Sequence, residues 1–253
     1  MAPSIERDDA VFLDFDGTLA DIAPAPGQVK VERGLPQLLD RVSARLGGAI
    51  AVVSGRPLVD LARLLYPFEG PAAGIHGLER RTARGEIIRP EPDATIGGAR
   101  SLLAGFVAAT PGVVLEDKGL ALSLHFRCRP EQASACLRTA REAARLSRNR
   151  LVVMQGKMVV ELHPRAAGKG RAIARFLEEE PFKGRRPVFA GDDCTDEDGF
   201  AVVNRLGGVS IRVGSGGDTA ALFQFSGVPA VMAWLSAFAA PSAAASRPVA
   251  DAP

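Results

Sequence analysis

A chain of 253 residues, 47% hydrophobic and 24% charged, is long enough for one large domain or two modest ones, each with a core. A net charge of +2 gives no reason to expect nucleic acid as a partner, and no apolar run approaches membrane-spanning length. The first ten residues are too polar for a signal peptide, and Cys128, Cys136 and Cys194, with no CxxC pair, fit a reducing, cytoplasmic compartment.

Taken in order, residues 10–14 read as a short buried strand that ends on a carboxylate, within the string VFLDFDGTL (11–19). Asp14 and Asp16 thus arrive together at a strand end, followed by Gly17 at a turn and Thr18. Each desolvated carboxylate needs a partner, and that edge of an open α/β sheet is where ligands bind. A hard divalent cation, magnesium above all, suits two clustered acids. Residues 20–28 form a loop punctuated by Pro24, Pro26 and Gly27. Leu35, Leu38, Leu39, Val42 and Leu46 then predict an amphipathic helix over 35–46, closed by Gly47-Gly48. A second buried strand, 49–53, runs into Ser54-Gly55-Arg56. Ser54 can hydrogen-bond a phosphoryl oxygen and Arg56 can pair with a phosphate through two N–H groups. The plainer alternative is that Ser54 caps the helix starting at Pro57 and covering 58–65. A third strand, 72–75, ends in GIHGLE (74–79).

Near Arg81 the rhythm changes. Helix 94–109, strands 113–115 and 120–126, helix 131–147, and strands 151–154 and 159–162 predict an antiparallel α+β module. The strand–helix alternation resumes at Gly168-Lys169-Gly170: helix 172–179, strand 187–190, the string GDDCTDED (191–198), a helix through Val203, strand 209–213 and helix 228–238. The expected fold is therefore α/β, with a doubly wound parallel-sheet (Rossmann-like) core and an inserted α+β cap domain. The expected divisions are 1–81 and 163–238 for the core, 82–162 for the cap, and a disordered Ala/Pro/Ser-rich tail over 239–253.

Of the 31 basic residues only five are lysines, so a Lys marks a place where a compact point charge is wanted. Lys169, between two glycines at a helix start, suits an anion; the alternative is a solvated surface Lys. Asp192, just after a strand, completes a metal site with Asp14 and Asp16. Asp196, Glu197 and Asp198 read as complements to a helix dipole. The acidic setting should raise the Cys194 pKa and leave that thiol inert. The Arg138, Arg141, Arg145 and Arg148 stripe lacks interleaved aromatics and reads as a solvated helix face.

DFDGTL, SGR, the Lys169 loop and GDD, in this order, resemble the four motifs of the haloacid dehalogenase-like phosphatases. The resemblance implies that Asp14 attacks phosphorus, that Asp16 is the general acid/base, and that Ser54 and Lys169 hold the transferring group beside magnesium. GIHGLE, LEDKGLALSLHFR (115–127), GKMVVELHP (156–164) and the loop DIAPAPGQV (21–29) are further similar to signature segments of the trehalose-6-phosphate phosphatases, so that the resemblance covers most of residues 11–238. It implies a sugar phosphate substrate whose distal sugar is held by Glu116, Lys118, Arg127, Lys157 and Glu161, with Arg56, His76 and Gly77 also at the substrate. Hydrolysis of trehalose 6-phosphate through an aspartyl-phosphate intermediate is expected, in a monomer with no nucleic acid or membrane partner. A phosphatase of another sugar phosphate (sucrose phosphate, mannosyl-phosphoglycerate) and a non-catalytic phosphosugar-binding module are the alternatives.

Overall fold

Five consecutive buried residues, Asp9–Leu13, form β1, and the larger sheet is built outward from it. The computed structural model describes residues 2–23, 26–91, 94–156 and 158–241. After β1 come α1 (Leu35–Arg45), β2 (Ile50–Val53), α2 (Leu58–Leu65), β3 (Ala72–Gly74), β4 (Glu79–Arg81) and β5 (Ile87–Ile88). An inserted run follows: α3 (Ala94–Ala108), β6 (Val114–Asp117), β7 (Leu122–His125), α4 (Ala133–Leu146), β8 (Leu151–Gly156) and β9 (Val159–Pro164). The chain closes with α5 (Lys169–Leu177), β10 (Arg186–Gly191), α6 (Glu197–Arg205), β11 (Val209–Val213), β12 (Phe223–Phe225) and α7 (Val228–Ala239).

The larger sheet has the order β12-β11-β10-β1-β2-β3-β4-β5. From β12 to β3 every pairing is parallel, so the strands present their carboxyl ends along one edge. Leu13 pairs with Ala190 on one side and Val52 on the other, which brings the residues that follow β1, β2 and β10 next to one another. Helices cover the sheet with apolar faces: Phe12 of β1 lies against Phe176 of α5 and Phe182, with ring centroids 6.1 and 5.5 Å apart. Full burial of each such side chain contributes about 1.5–3 kcal/mol.

The second sheet, β6-β7-β9-β8, is antiparallel throughout. Leu122, Leu124, Val160 and Leu162 pack with Ile96 and Leu103 of α3 and Cys136 and Ala140 of α4 into a separate core. Period-two alternation sends the intervening residues to the opposite face. There Glu116 pairs with Ser123 and Ser123 with Glu161, making one polar row across three strands.

The expected α/β architecture, with its inserted antiparallel module, is the one observed. Three strands have no counterpart in the sequence reading. β4 and β5 double back antiparallel beside β3, so the larger sheet reaches Ile88, past the boundary expected at 81. β12 is the opposite edge strand, and Phe223 and Gln224 there are exposed. All three are two or three residues long and carry no buried apolar run, the signal by which the inner strands are recognised. Helix α7 ends at Ala239, and residues 242–253 of the predicted tail lie outside the described residues. Among the described residues, no helix is long and apolar enough to cross a membrane.

Candidate active site

At the carboxyl edge of the larger sheet, β1 delivers Asp14, β2 delivers Ser54, and β10 delivers Asp192, all three buried. Lys169 comes to them from the first turn of α5. Its Nζ donates to Asp14 Oδ1 at 2.6 Å and to Asp196 Oδ1 at 2.7 Å, and its side chain is 3% exposed. Burial works to lower the Lys169 pKa, but Asp14 and Asp196 outweigh it and hold the ammonium form far above the usual range. Burial raises the Asp14 carboxyl, Asp196 and Asp192 push it further, and Lys169 opposes them. Lys169 is thus a buried cation, and the solvated-surface alternative is excluded.

Asp14, Asp192 and Asp196 offer oxygens that all lie within 4.8 Å of one another. The donors are all carboxylate oxygens, the set that suits magnesium. Gly17 makes the arrangement possible. With φ +83° it takes the left-handed turn of DFDG, and a Cβ there would lie 2.1 Å from Asp192 Oδ2. The residues therefore fit a divalent cation, which Asp14, Asp192 and Asp196 together could hold. Besides Lys169, Asp196 accepts the backbone N–H groups of Asp192 and Asp193, both at 3.0 Å.

Two differences from the sequence reading follow. The Asp16 side chain is not in this carboxylate cluster; both its oxygens accept from Arg56, from Nε and Nη2 at 2.7 Å each. Burial would lower the Arg56 pKa, but Asp16 raises it. The fork that could meet a phosphate meets a carboxylate instead, because DFDGTL and SGR follow adjacent strands. Asp196, read as a dipole complement, is fully buried and belongs to the site. Its one sequence signal is the spacing of three from Asp193, with which it forms a capping box at the start of the turn after β10. Ser54 does not cap α2: its Oγ accepts from Arg56 N at 3.1 Å, and Glu79 Oε1 receives the N–H of Leu58 at the helix start.

Above this edge stands the polar row of the antiparallel sheet. Asp14, Asp16, Ser54, Arg56, His76, Glu116, Lys118, Arg127, Glu161, Lys169 and Asp192 line one cleft. Glu161 accepts from Lys118 Nζ at 2.5 Å, Ser123 Oγ at 2.7 Å and His76 Nε2 at 2.5 Å. Burial would raise the Glu161 carboxyl, but Lys118 and His76 hold it well below the usual range. Glu116 lies 2.7 Å from His125 Nε2 and 4.0 Å from Lys118. Arg127 donates to the carbonyl of Ala23, so it ties the inserted module to the loop after β1. Gly77 does not line the cleft. At φ +88° it packs against α5, where a Cβ would lie 2.8 Å from that of Ala172, and its role is to let the chain turn. Lys157 lies outside the described residues. Cys194 behaves as expected: burial and Asp193 push its thiol up to about 11.

Residues 12–224 match the family model for trehalose-phosphatase. The trehalose-6-phosphate phosphatase of Escherichia coli (strain K12) is 44% identical over 234 residues, spanning 92% of this chain and 87% of that protein. A probable trehalose-phosphate phosphatase of Sinorhizobium fredii is 43% identical over 205 residues, 81% of this chain and 77% of that one. The C-terminal domain of C. albicans trehalose-6-phosphate phosphatase superposes with a TM-score of 0.81 over 94% of this chain and 98% of that chain. At 21% identity that likeness bears on the fold alone.

Proposed function

The chain belongs to the trehalose-phosphatase family of phosphoric monoester hydrolases, and from that premise we propose that it hydrolyses trehalose 6-phosphate to trehalose and phosphate, with magnesium, through an aspartyl phosphate. One observation carries the reading: a single cleft is lined by Asp14, Lys169 and Asp192 on one side and by Glu116, Lys118 and Glu161 on the other. The first set suits a phosphate ester. The second suits sugar hydroxyls, each of which both donates and accepts. The division of labour is a core for the phosphoryl group and a cap, expected over 82–162, for the distal glucose.

In this reading Asp14 attacks phosphorus and the bond from phosphorus to the sugar O6 breaks. Asp16 gives the leaving oxygen its proton, then takes one from the water that hydrolyses the aspartyl phosphate. Arg56 holds Asp16 in place meanwhile, one N–H to each oxygen, and each oxygen keeps a lone pair for the proton. Ser54 and Lys169 hold the transferring group, Lys169 by charge and Ser54 by its hydroxyl. Asp14 and Asp192 would hold magnesium, which, when bound, offsets the repulsion between carboxylate and phosphate. The three free cysteines accord with a reducing, cytoplasmic setting.

The test is phosphate release from trehalose 6-phosphate, sucrose 6-phosphate, mannosyl-phosphoglycerate and glucose 6-phosphate, with magnesium and with a chelator. Trehalose 6-phosphate should have the highest kcat/KM, and chelator should abolish release. A faster rival substrate overturns the substrate assignment. Binding of trehalose 6-phosphate without release overturns the enzymatic one.

A further inference from the structure

Glu161 is held from both sheets. Its Oε1 accepts from Lys118 and Ser123, which belong to its own antiparallel sheet, and its Oε2 meets His76 Nε2, which comes from the loop after β3 in the larger sheet. The position of His76 is tightly determined. Its N–H donates to Ser54 O at 2.9 Å, and its carbonyl accepts from Gly168 N at 2.7 Å. One residue therefore touches, by main chain, both loops that bear Ser54 and Lys169. Its φ of +53°, following +47° at Ile75, is left-handed backbone that non-glycine residues seldom adopt, so the surroundings impose it. The ring lies over Gly55, where a Cβ would be 2.6 Å from Nε2. Among the described residues Nδ1 finds no hydrogen-bond partner while Nε2 faces the carboxylate, so in the neutral ring the proton belongs on Nε2.

We propose that His76 is a positioning residue for substrate recognition: its Nε2–H fixes the Glu161 carboxylate toward the sugar and seats the antiparallel sheet on the loops that carry Ser54 and Lys169. The proposal rests on the sugar-phosphate reading of the cleft. Lys118 cannot replace His76 in this, because it engages Oε1 and also donates to the carbonyl of Gly55 at 2.9 Å. With His76 in place both oxygens are fixed, and a carboxylate that cannot rotate discriminates between hydroxyl arrangements.

The experiment compares His76→Leu with His76→Gln in the full chain. Both impose a similar side chain on the left-handed backbone, and the main-chain bonds to Ser54 and Gly168 survive in both; only Gln keeps an N–H donor. With trehalose 6-phosphate, His76→Leu should lower kcat/KM at least ~10-fold, mainly through KM, and His76→Gln should regain most of it. The ratio of kcat/KM for trehalose 6-phosphate to that for p-nitrophenyl phosphate, which has no distal sugar, should fall about 10-fold in His76→Leu and return toward wild type in His76→Gln. Equal losses on both substrates, a Gln variant no better than Leu, or no loss in Leu would each overturn the proposal. If wild type turns over p-nitrophenyl phosphate but not trehalose 6-phosphate, the substrate assignment fails, and the contact is then read by proton NMR. A downfield ring N–H resonance lost in both His76→Gln and Glu161→Gln supports it; absence of that resonance from wild type overturns it.

Discussion

Lys169 Nζ sits 2.6 Å from Asp14 Oδ1, with both side chains buried although the two residues are 155 positions apart in the chain. The pair joins the start of α5 to the end of β1, so the contact holds the candidate site together and, under the proposed function, keeps the ammonium beside the nucleophile. Removing one member of a buried pair strands the other charge, which costs about 3–5 kcal/mol. Lys169→Met should therefore lose both turnover and stability. Asp14→Asn keeps an oxygen for Lys169 and relieves crowding with Asp192 and Asp196, so it should fold well while turnover falls at least ~1,000-fold. Melting curves and phosphate release separate the two. An Asn variant that is both unstable and inactive would contradict this division.

Arg56 should matter to rate more than to binding. It holds Asp16 by two parallel hydrogen bonds of 2.7 Å, a geometry that Lys cannot reproduce. Arg56→Lys should lower kcat about 10-fold or more while KM for trehalose 6-phosphate changes little. A rise in KM with kcat intact would instead assign Arg56 to the phosphate, as SGR alone suggests.

What could be read in the sequence follows from what kind of signal each residue leaves. Asp14, Ser54, Lys169 and Asp192 sit at strand or helix ends in short ordered motifs, and the parallel strands bring those ends together. The pairing of Asp16 with Arg56 depends on β1 and β2 being neighbours in register, which a linear string does not state. Asp196 hides among acids whose charge suits a helix start. Glu116 and Glu161 were legible as a polar set, but their common row depends on β7 standing between β6 and β9. The edge strands β4, β5 and β12 lack the apolar run that reveals a strand.

The Glu161 contact should weaken at low pH. Its carboxyl is held well below its ordinary value of 4.5, chiefly by Lys118 and His76 against burial. A depressed carboxyl contributes stability that is full above the ordinary value and is lost as pH falls through the folded value. Glu161→Gln should then lower Tm relative to wild type at pH 7, and the gap should close below about pH 4. A gap that persists unchanged to pH 3 would mean that the charge is not what stabilises.

Cys194 should be a bystander. With its thiol raised to about 11, roughly one part in a thousand is thiolate at pH 8, against about a quarter for an ordinary Cys. Its Sγ also donates to Gln155 O at 2.7 Å. Alkylation with iodoacetamide at pH 8 should label Cys128 well before Cys194, and Cys194→Ser should leave kcat within about twofold. Prompt labelling of Cys194 with loss of activity would contradict both.

Glu116 gives a cleaner view of sugar recognition than Glu161 does. Deleting the Glu161 carboxylate leaves Lys118 buried and short of its nearest partner, so a lost activity could reflect a damaged fold. The Glu116 side chain is 27% exposed, its near neighbour His125 is 25% exposed, and the buried Lys118 keeps Glu161 at 2.5 Å, so its loss leaves no stranded buried charge. Burial would raise its carboxyl, yet His125 and Lys118 lower it, so it meets a substrate as a carboxylate. Hydrogen bonds from hydroxyls to a charged group contribute about 1.5–3 kcal/mol each. Glu116→Gln should therefore lower kcat/KM for trehalose 6-phosphate at least ~10-fold. Hydrolysis of p-nitrophenyl phosphate, which under the proposed function calls on Asp14, Asp16, Ser54, Lys169 and Asp192 and has no distal sugar, should hold, and Tm should shift little. If both substrates slow together with Tm unchanged, Glu116 acts on the phosphoryl group or on docking of the two sheets. The sugar would then have to be gripped elsewhere in the cleft.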